Sequence, residues 1–181
     1  MEDIKDRLSD EQYYFFKNLK EYLNTELYFF GSIKRYDYFQ NSDIDIIIIT
    51  DNVKSILFKA QHYLNIEKTQ KIFQQYSIYD QEIIVGHKIK YKNKDDNLSF
   101  DLLIYDEKYR KNVLKNIDEI NNLPFYMVTI LCIIKFLYYN LSLISTSTYQ
   151  YLKSSIFFSY FNNEFLHYKK DKSIVIMLEK L

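Results

Sequence analysis

Asp43 and Asp45 stand two positions apart at the start of a run of four isoleucines, Ile46 to Ile49. In an extended strand, residues i and i+2 point to the same face, so the two carboxylates lie side by side. Like charges so placed are unfavourable unless a cation neutralises them or one takes up a proton. Upstream, Gly31 ends the apolar stretch Leu27-Tyr28-Phe29-Phe30 and is followed by Ser32, ten residues before Ser42. A glycine-serine turn lets backbone N–H groups and a hydroxyl come close to a phosphate. Hard oxygen ligands at a strand end, next to such a turn, suit Mg²⁺ and a triphosphate. Asp101 repeats the theme as a lone carboxylate in Phe100-Asp101-Leu102-Leu103-Ile104. If its strand pairs beside the first, three carboxylates converge on one or two metal ions. The outer one can then accept the proton of an attacking hydroxyl.

Each of these residues also has a plainer role open to it. Asp43 and Asp45 can be solvated aspartates at a strand end, and Asp95, Asp96 and Asp106 are nearby rivals of Asp101. Ser32 can simply cap its turn. Lys34 and Arg35 either contact phosphate or solvate their loop. The apolar flanks of Asp101, and its recurrence with the Gly31-Ser32 turn, favour the chemical reading.

The elements that must position them follow from pattern. Ser9-Asp10-Glu11-Gln12 has capping-box spacing and opens a helix to about Tyr22. Leu27 to Phe30 reads as a buried strand stopped by Gly31. Ile44 to Ile49, β-branched throughout, reads as a strand buried on both faces. Val53, Ile56, Leu57, Ala60 and Leu64 have helical spacing within Asn52 to Leu64. Ile78 to Tyr91 and Leu98 to Tyr105 read as two strands joined by the polar turn from Lys92 to Asn97. Glu107 to Ile117 predicts a charged, exposed helix, and Pro124, the single proline, sits where another begins. Thr148 to Phe161 and Lys172 to Lys180 are further helical stretches. The fold class expected is α/β (α+β): a small mixed β-sheet flanked by helices, plus a C-terminal helical segment. The division expected is a core over residues 1–120 and a helical segment over 121–181 that packs on it.

Composition narrows the possibilities. The chain has 181 residues, one domain's worth, and buries roughly 70% of its unfolded surface by the usual scaling. A single cysteine, Cys132, builds neither a disulfide framework nor a zinc site. His62, His87 and His167 lack metal-ligand spacing. With 24 basic and 24 acidic residues, the chain carries no basic excess of the kind a dedicated duplex binder shows. The stretch from His167 to Lys172 reads as a solvated helix end. The N-terminus is charged and lacks an apolar core, so no signal peptide is expected. Leu123 to Ile144 is weighed as a membrane span, but its charge-free part is twelve residues and Lys135 follows. A span needs about 20 apolar residues. The expectation is a buried helix in a cytoplasmic protein, with no membrane partner.

Phe30-Gly31-Ser32 followed at this spacing by Ser42-Asp43-Ile44-Asp45-Ile46 resembles the signature of the DNA polymerase β-like nucleotidyltransferase superfamily. Order, spacing and hydrophobic flanks agree from about Leu27 to Asp106, and Asp101 is similar to the third carboxylate. The resemblance implies a palm-like core and transfer of a nucleoside monophosphate from an NTP, ATP foremost, with pyrophosphate released. It implies Mg²⁺ or Mn²⁺ held by Asp43, Asp45 and Asp101, with Asp101 activating the acceptor hydroxyl. Gly31 and Ser32 are then expected on the β- and γ-phosphates, with Arg35 a further nucleotide-binding candidate.

Leu131 to Leu137 is similar to the helix that follows the palm in poly(A) polymerases and oligoadenylate synthetases. This makes Lys135 a triphosphate ligand in expectation, although a lone lysine on an apolar helix can also snorkel to solvent. The pattern departs at Tyr36, where bacterial minimal nucleotidyltransferases have glycine after the arginine that Arg35 matches. The chain also leaves no room for the RNA-binding domain of full-length poly(A) polymerases. Acceptors within this reading are an RNA 3′ end, a protein hydroxyl, a second nucleotide or a small molecule. The rival from another class is a non-catalytic subunit that keeps the fold and binds a partner protein or a second copy.

Overall fold

The computed structural model describes residues 2–66, 72–79, 82–93 and 98–160. In chain order the elements are α1 (Asp10–Leu23), β1 (Tyr28–Phe30), β2 (Ile44–Thr50), α2 (Val53–Tyr63), β3 (Ile72–Tyr79), β4 (Glu82–Asn93), β5 (Leu98–Asp106), α3 (Arg110–Asn121), α4 (Phe125–Tyr139) and α5 (Thr146–Tyr160). Among the described residues the strands form one mixed sheet in the order β1-β2-β5-β4-β3. β2 and β5 run parallel, and the other neighbours are antiparallel. This is the expected mixed sheet with flanking helices.

The sheet is covered on both sides, which explains the unbroken isoleucines of β2. Ile44, Ile46 and Ile48 join Phe100, Leu102 and Ile104 in a core closed by Phe16, Leu19 and Leu23 of α1 and by Ile56, Leu57 and Ala60 of α2. Ile47 and Ile49 join Leu103 and Tyr105 on the opposite face, under Val113 and Ile117 of α3. Strand alternation thus sends even positions of β2 to one core and odd positions to the other. Each fully buried aliphatic side chain contributes about 2 kcal/mol. Asp45 and Asp101 occupy odd positions of β2 and β5, on the α3 face, and forgo that gain.

Local signals set the element ends. Ser9 and Gln12 cap α1 reciprocally, and Asn24 ends it in the left-handed conformation at φ 52°. The Asn52 side chain accepts from the Ser55 N–H to start α2. Gly86 of β4 faces Tyr105 of β5, and a Cβ at Gly86 would lie 2.4 Å from the tyrosine ring. The glycine is there so that the ring can cross the strand.

Three expectations need correction. The stretch expected to form one strand from Ile78 is two: β3 begins at Ile72 and β4 at Glu82. β3 escapes pattern reading because Gln74-Gln75 interrupts any alternation. The helix expected from Glu107 to Ile117 begins at Arg110 and runs to Asn121, with Val113 and Ile117 buried rather than exposed. α4 is buried on one face only: Met127, Val128 and Leu131 pack against α5, while Phe125, Tyr126, Ile130, Ile133 and Phe136 are exposed. No single described helix is long and apolar enough to cross a membrane. The expected helix at Lys172 to Lys180 and the basic stretch from His167 lie outside the described residues.

Candidate functional site

Asp45 and Asp101 are register partners on the parallel strands β2 and β5, so their side chains leave the same face of the sheet at neighbouring positions. Asp43, two residues before Asp45, extends the acidic group past the end of β2. β1 closes the other side, with Phe30 opposite Asp45. The chain then turns at Gly31 with φ +75°, a conformation that glycine adopts freely. A Cβ there would stand 3.0 Å from Asp45 Oδ2. The turn therefore brings backbone against the carboxylate where any side chain would intrude.

The three carboxylates have different partners. Asp43 Oδ1 accepts a hydrogen bond from Ser99 Oγ at 2.5 Å. Asp101 Oδ2 pairs with Lys88 Nζ at 2.5 Å. Asp45 has no such partner among the described residues. Burial pushes its pKa up to about 6, with the charges of Asp101 and Asp43 adding to the rise and Lys153 and Lys88 opposing it. Among the described residues no three of His, Cys, Asp and Glu are drawn together tightly enough to ligate one ion. The donor chemistry nonetheless suits a hard divalent cation: all donors are carboxylate oxygens, and Asp45 is an under-neutralised anion between two others.

Of the three carboxylates Asp45 lines a cleft of about 130 Å³, together with Gly31, Ser32, Arg35, Lys135 and Lys153 among others. The Gly31 N–H is already used, donating to Asn121 Oδ1 at 2.9 Å. Ser32, the next residue of the turn, lines the cleft with a hydroxyl that can meet a ligand. Arg35 and Lys135 are both buried, and both engage Asp37. Arg35 Nε donates to Asp37 Oδ1 at 2.9 Å and its Nη2 to Oδ2 at 3.2 Å, while Nη1 donates to the Ile120 carbonyl at 2.8 Å. Lys135 Nζ donates to the Asp37 carbonyl at 2.8 Å and pairs with Oδ2 at 3.0 Å. Burial alone would raise the Asp37 pKa, but the Lys135 and Arg35 charges outweigh it and hold the carboxyl below its usual range. Burial lowers the Lys135 pKa, with Asp37 opposing.

The structure brings Gly31, Ser32, Arg35, Asp45 and Lys135 to one cleft and ties Arg35 and Lys135 to each other through Asp37. It sets Asp101 beside Asp45 by register but brings neither Asp101 nor Asp43 into the lining. Sequence reasoning missed Asp37, Lys88, Ser99 and Lys153. Alternation in Lys88-Ile89-Lys90-Tyr91-Lys92 would have placed Lys88 on one face of β4. Nothing local marks Asp37, whose partner Lys135 is 98 positions away. Of the many aromatics, Tyr138 and Tyr149 stack at 4.4 Å, with Tyr139 edge-on to both. His62 of α2 meets the Tyr22 hydroxyl of α1 at 2.9 Å.

The family model described as "Nucleotidyltransferase domain" matches residues 13–126. No curated protein matches the sequence. Among solved structures, the chain is similar to a cytoplasmic RNA terminal U-transferase (17% identity, 71% of this chain, 42% of that one, TM-score 0.40). It is similar to the Cid1 poly(U) polymerase with MgGTP bound (18% identity, 72% of this chain, 43% of that one, TM-score 0.40). It is also similar to a chain of the GLD-2/RNP-8 complex (12% identity, 77% of this chain, 57% of that one, TM-score 0.36). The chain spans less than half the length of the first two.

Proposed function

The chain belongs to the nucleotidyltransferase domain family, and we propose that it transfers a nucleoside monophosphate from an NTP to an acceptor hydroxyl, with pyrophosphate released. The observation that carries this reading is the register pairing of Asp45 with Asp101 beside the Gly31 turn. A fold seeking only stability would fill both positions with aliphatic side chains.

The reaction is an in-line displacement. The acceptor oxygen bonds to the α-phosphorus, the bond from that phosphorus to the bridging oxygen breaks, and pyrophosphate leaves with the electron pair. Asp101 would take the acceptor's proton, which requires its pair with Lys88 to open. Asp43, Asp45 and Asp101 would hold Mg²⁺ or Mn²⁺, which when bound supplies positive charge to the phosphate oxygens. Ser32 would offer its hydroxyl to the outer phosphates, and the missing side chain at Gly31 leaves room for the Asp45 carboxylate beside it. Lys153, on α5 at the edge of the cleft, adds a cation. Ser99 fixes the rotamer of Asp43 by holding one of its oxygens.

Several acceptors fit this chemistry. An RNA 3′ end is the first to test, with a protein hydroxyl and a small molecule beside it, since a neutral chain needs no extended basic surface to meet any of the three. One observation favours the non-catalytic alternative: two of the three carboxylates are already satisfied by Ser99 and Lys88. Incubation with α-labelled NTPs, Mg²⁺ or Mn²⁺ and RNA, protein and small-molecule acceptors separates the two. Label transferred to an acceptor, and lost in Asp45→Asn, supports the enzyme. No transfer to any acceptor, despite metal-dependent NTP binding, favours the binding module.

A further inference from the structure

The two cations that line the cleft on the side of the Gly31-Ser32 turn are held by a carboxylate of the chain itself. Asp37 has no solvent exposure, and the side chains of Arg35 and Lys135 are 6% and 4% exposed. Both ammonium bonds of Lys135 go to Asp37, as do two of the three guanidinium bonds of Arg35. A guanidinium has five N–H donors and an ammonium three, so each cation keeps donors unspent. Two positive charges and one negative leave the cluster with a single net positive charge beside the cleft. Stability alone gives this arrangement little reason to exist, because buried ion clusters commonly do no better than apolar packing of the same volume. A carboxylate that two cations grip in the wall of a cleft occupies the place that an anionic ligand's oxygens would take.

We propose that Asp37 is an internal counter-anion for the polyphosphate-binding cations, and that a polyphosphate binds by taking over part of the Lys135 and Arg35 bonds that Asp37 holds. The inference rests on the reading of this cleft as a triphosphate site and deepens it. Exchange of one anion for another keeps the cations from ever being bare, and it weakens the hold on the ligand. Pyrophosphate can then leave, because Asp37 is at hand to reclaim both partners. Asp37 is a positioning residue in this scheme: it touches no reacting atom and acts through Arg35 and Lys135.

The test is calorimetric binding of inorganic tripolyphosphate and pyrophosphate to the full chain and to Asp37→Asn, which keeps the side chain's shape and removes its charge. The expected result is binding tighter by about tenfold or more for both ligands in the variant, since a unit negative charge a few ångströms from the ligand is removed. Equal or weaker binding by folded Asp37→Asn overturns the proposal. Because the variant leaves two buried cations without their carboxylate and can fail to fold, a second measurement uses the wild-type chain. The ¹H–¹⁵N signal of the Lys135 ammonium, assigned with Lys135→Arg, is followed as tripolyphosphate saturates the site. A shift of that signal supports exchange at Lys135, and a signal unmoved by bound ligand overturns it. Failure of the underlying reading looks different: neither protein then binds polyphosphate at all. Binding by the wild type with no gain in the variant removes only the role of Asp37.

Discussion

Asp45 of β2 and Asp101 of β5 face each other across the sheet's parallel pairing, and the backbone of Gly31 approaches the first of them. Asp45 alone of the three site aspartates has no hydrogen-bonding or ion-pair partner among the described residues, and burial raises its pKa to about 6. An unfolded aspartate titrates near 3.9, so between about pH 4 and pH 6 the folded chain binds this proton more tightly than the unfolded one. In metal-free buffer its contribution to stability therefore falls as pH rises through that window and stays low above it. The difference is on the order of 2 kcal/mol after allowance for partial exposure. Asp45→Asn should be more stable than the wild type at pH 7 by that order, and the gap should close toward pH 4. Urea denaturation of both proteins at several pH values measures it. A gap that does not change with pH contradicts the assignment.

Lys88 competes for the carboxylate that the proposed metal site needs, since its ammonium already pairs with Asp101. Lys88→Met, which keeps most of the stem and removes the charge, should bind Mn²⁺ several-fold more tightly than the wild type. Electron paramagnetic resonance of free Mn²⁺ reads this directly. Unchanged affinity would mean that Asp101 takes no part in metal binding.

Gly31→Ala combines two penalties. The φ of +75° costs an L-residue about 1–2 kcal/mol, and the new methyl would stand 3.0 Å from Asp45 Oδ2. Loss of stability by that amount, with NTP binding weakened further, is the expected outcome of denaturation and binding assays. Adding Asp45→Ala should relieve the contact and leave the dihedral cost. A Gly31→Ala protein as stable as the wild type would argue against the turn geometry.

Gly86→Ala probes the sheet away from the site. Its methyl would meet the Tyr105 ring at 2.4 Å, so the ring must move, at about 1–3 kcal/mol. Tyr105→Leu in the same chain should recover part of this, giving a coupling of at least about 0.5 kcal/mol in a double-mutant cycle. Strictly additive effects would show that the two residues do not touch.

The parts of this fold that a reader of the sequence can see are those whose reason is local. Ile44 to Ile49 announces a strand buried on both sides, and Ser9 with Gln12 announces a helix start, because neighbours in sequence make those contacts. The carboxylates were legible because charge at the head of an apolar strand is conspicuous, and Gly31 because glycine is scarce here. What stayed hidden depends on distant partners. Asp37 looks like an ordinary loop acid among Tyr36, Tyr38 and Phe39 until the fold brings Lys135 to it. Lys88 looks like one of three alternating strand lysines until β4 pairs with β5 and sets it beside Asp101. β3 has no clean period of its own, and its place in the sheet comes from pairing with β4.

If Asp43, Asp45 and Asp101 serve a metal-bound NTP, NTP binding measured by calorimetry with and without Mg²⁺ or Mn²⁺ will show it. The measurement is made on the wild type and on Asp43→Ala/Asp45→Ala. The expected result is binding that depends on the divalent ion and is lost in the folded double variant. NTP binding of equal strength without the ion, or retained when both aspartates are gone, would contradict it.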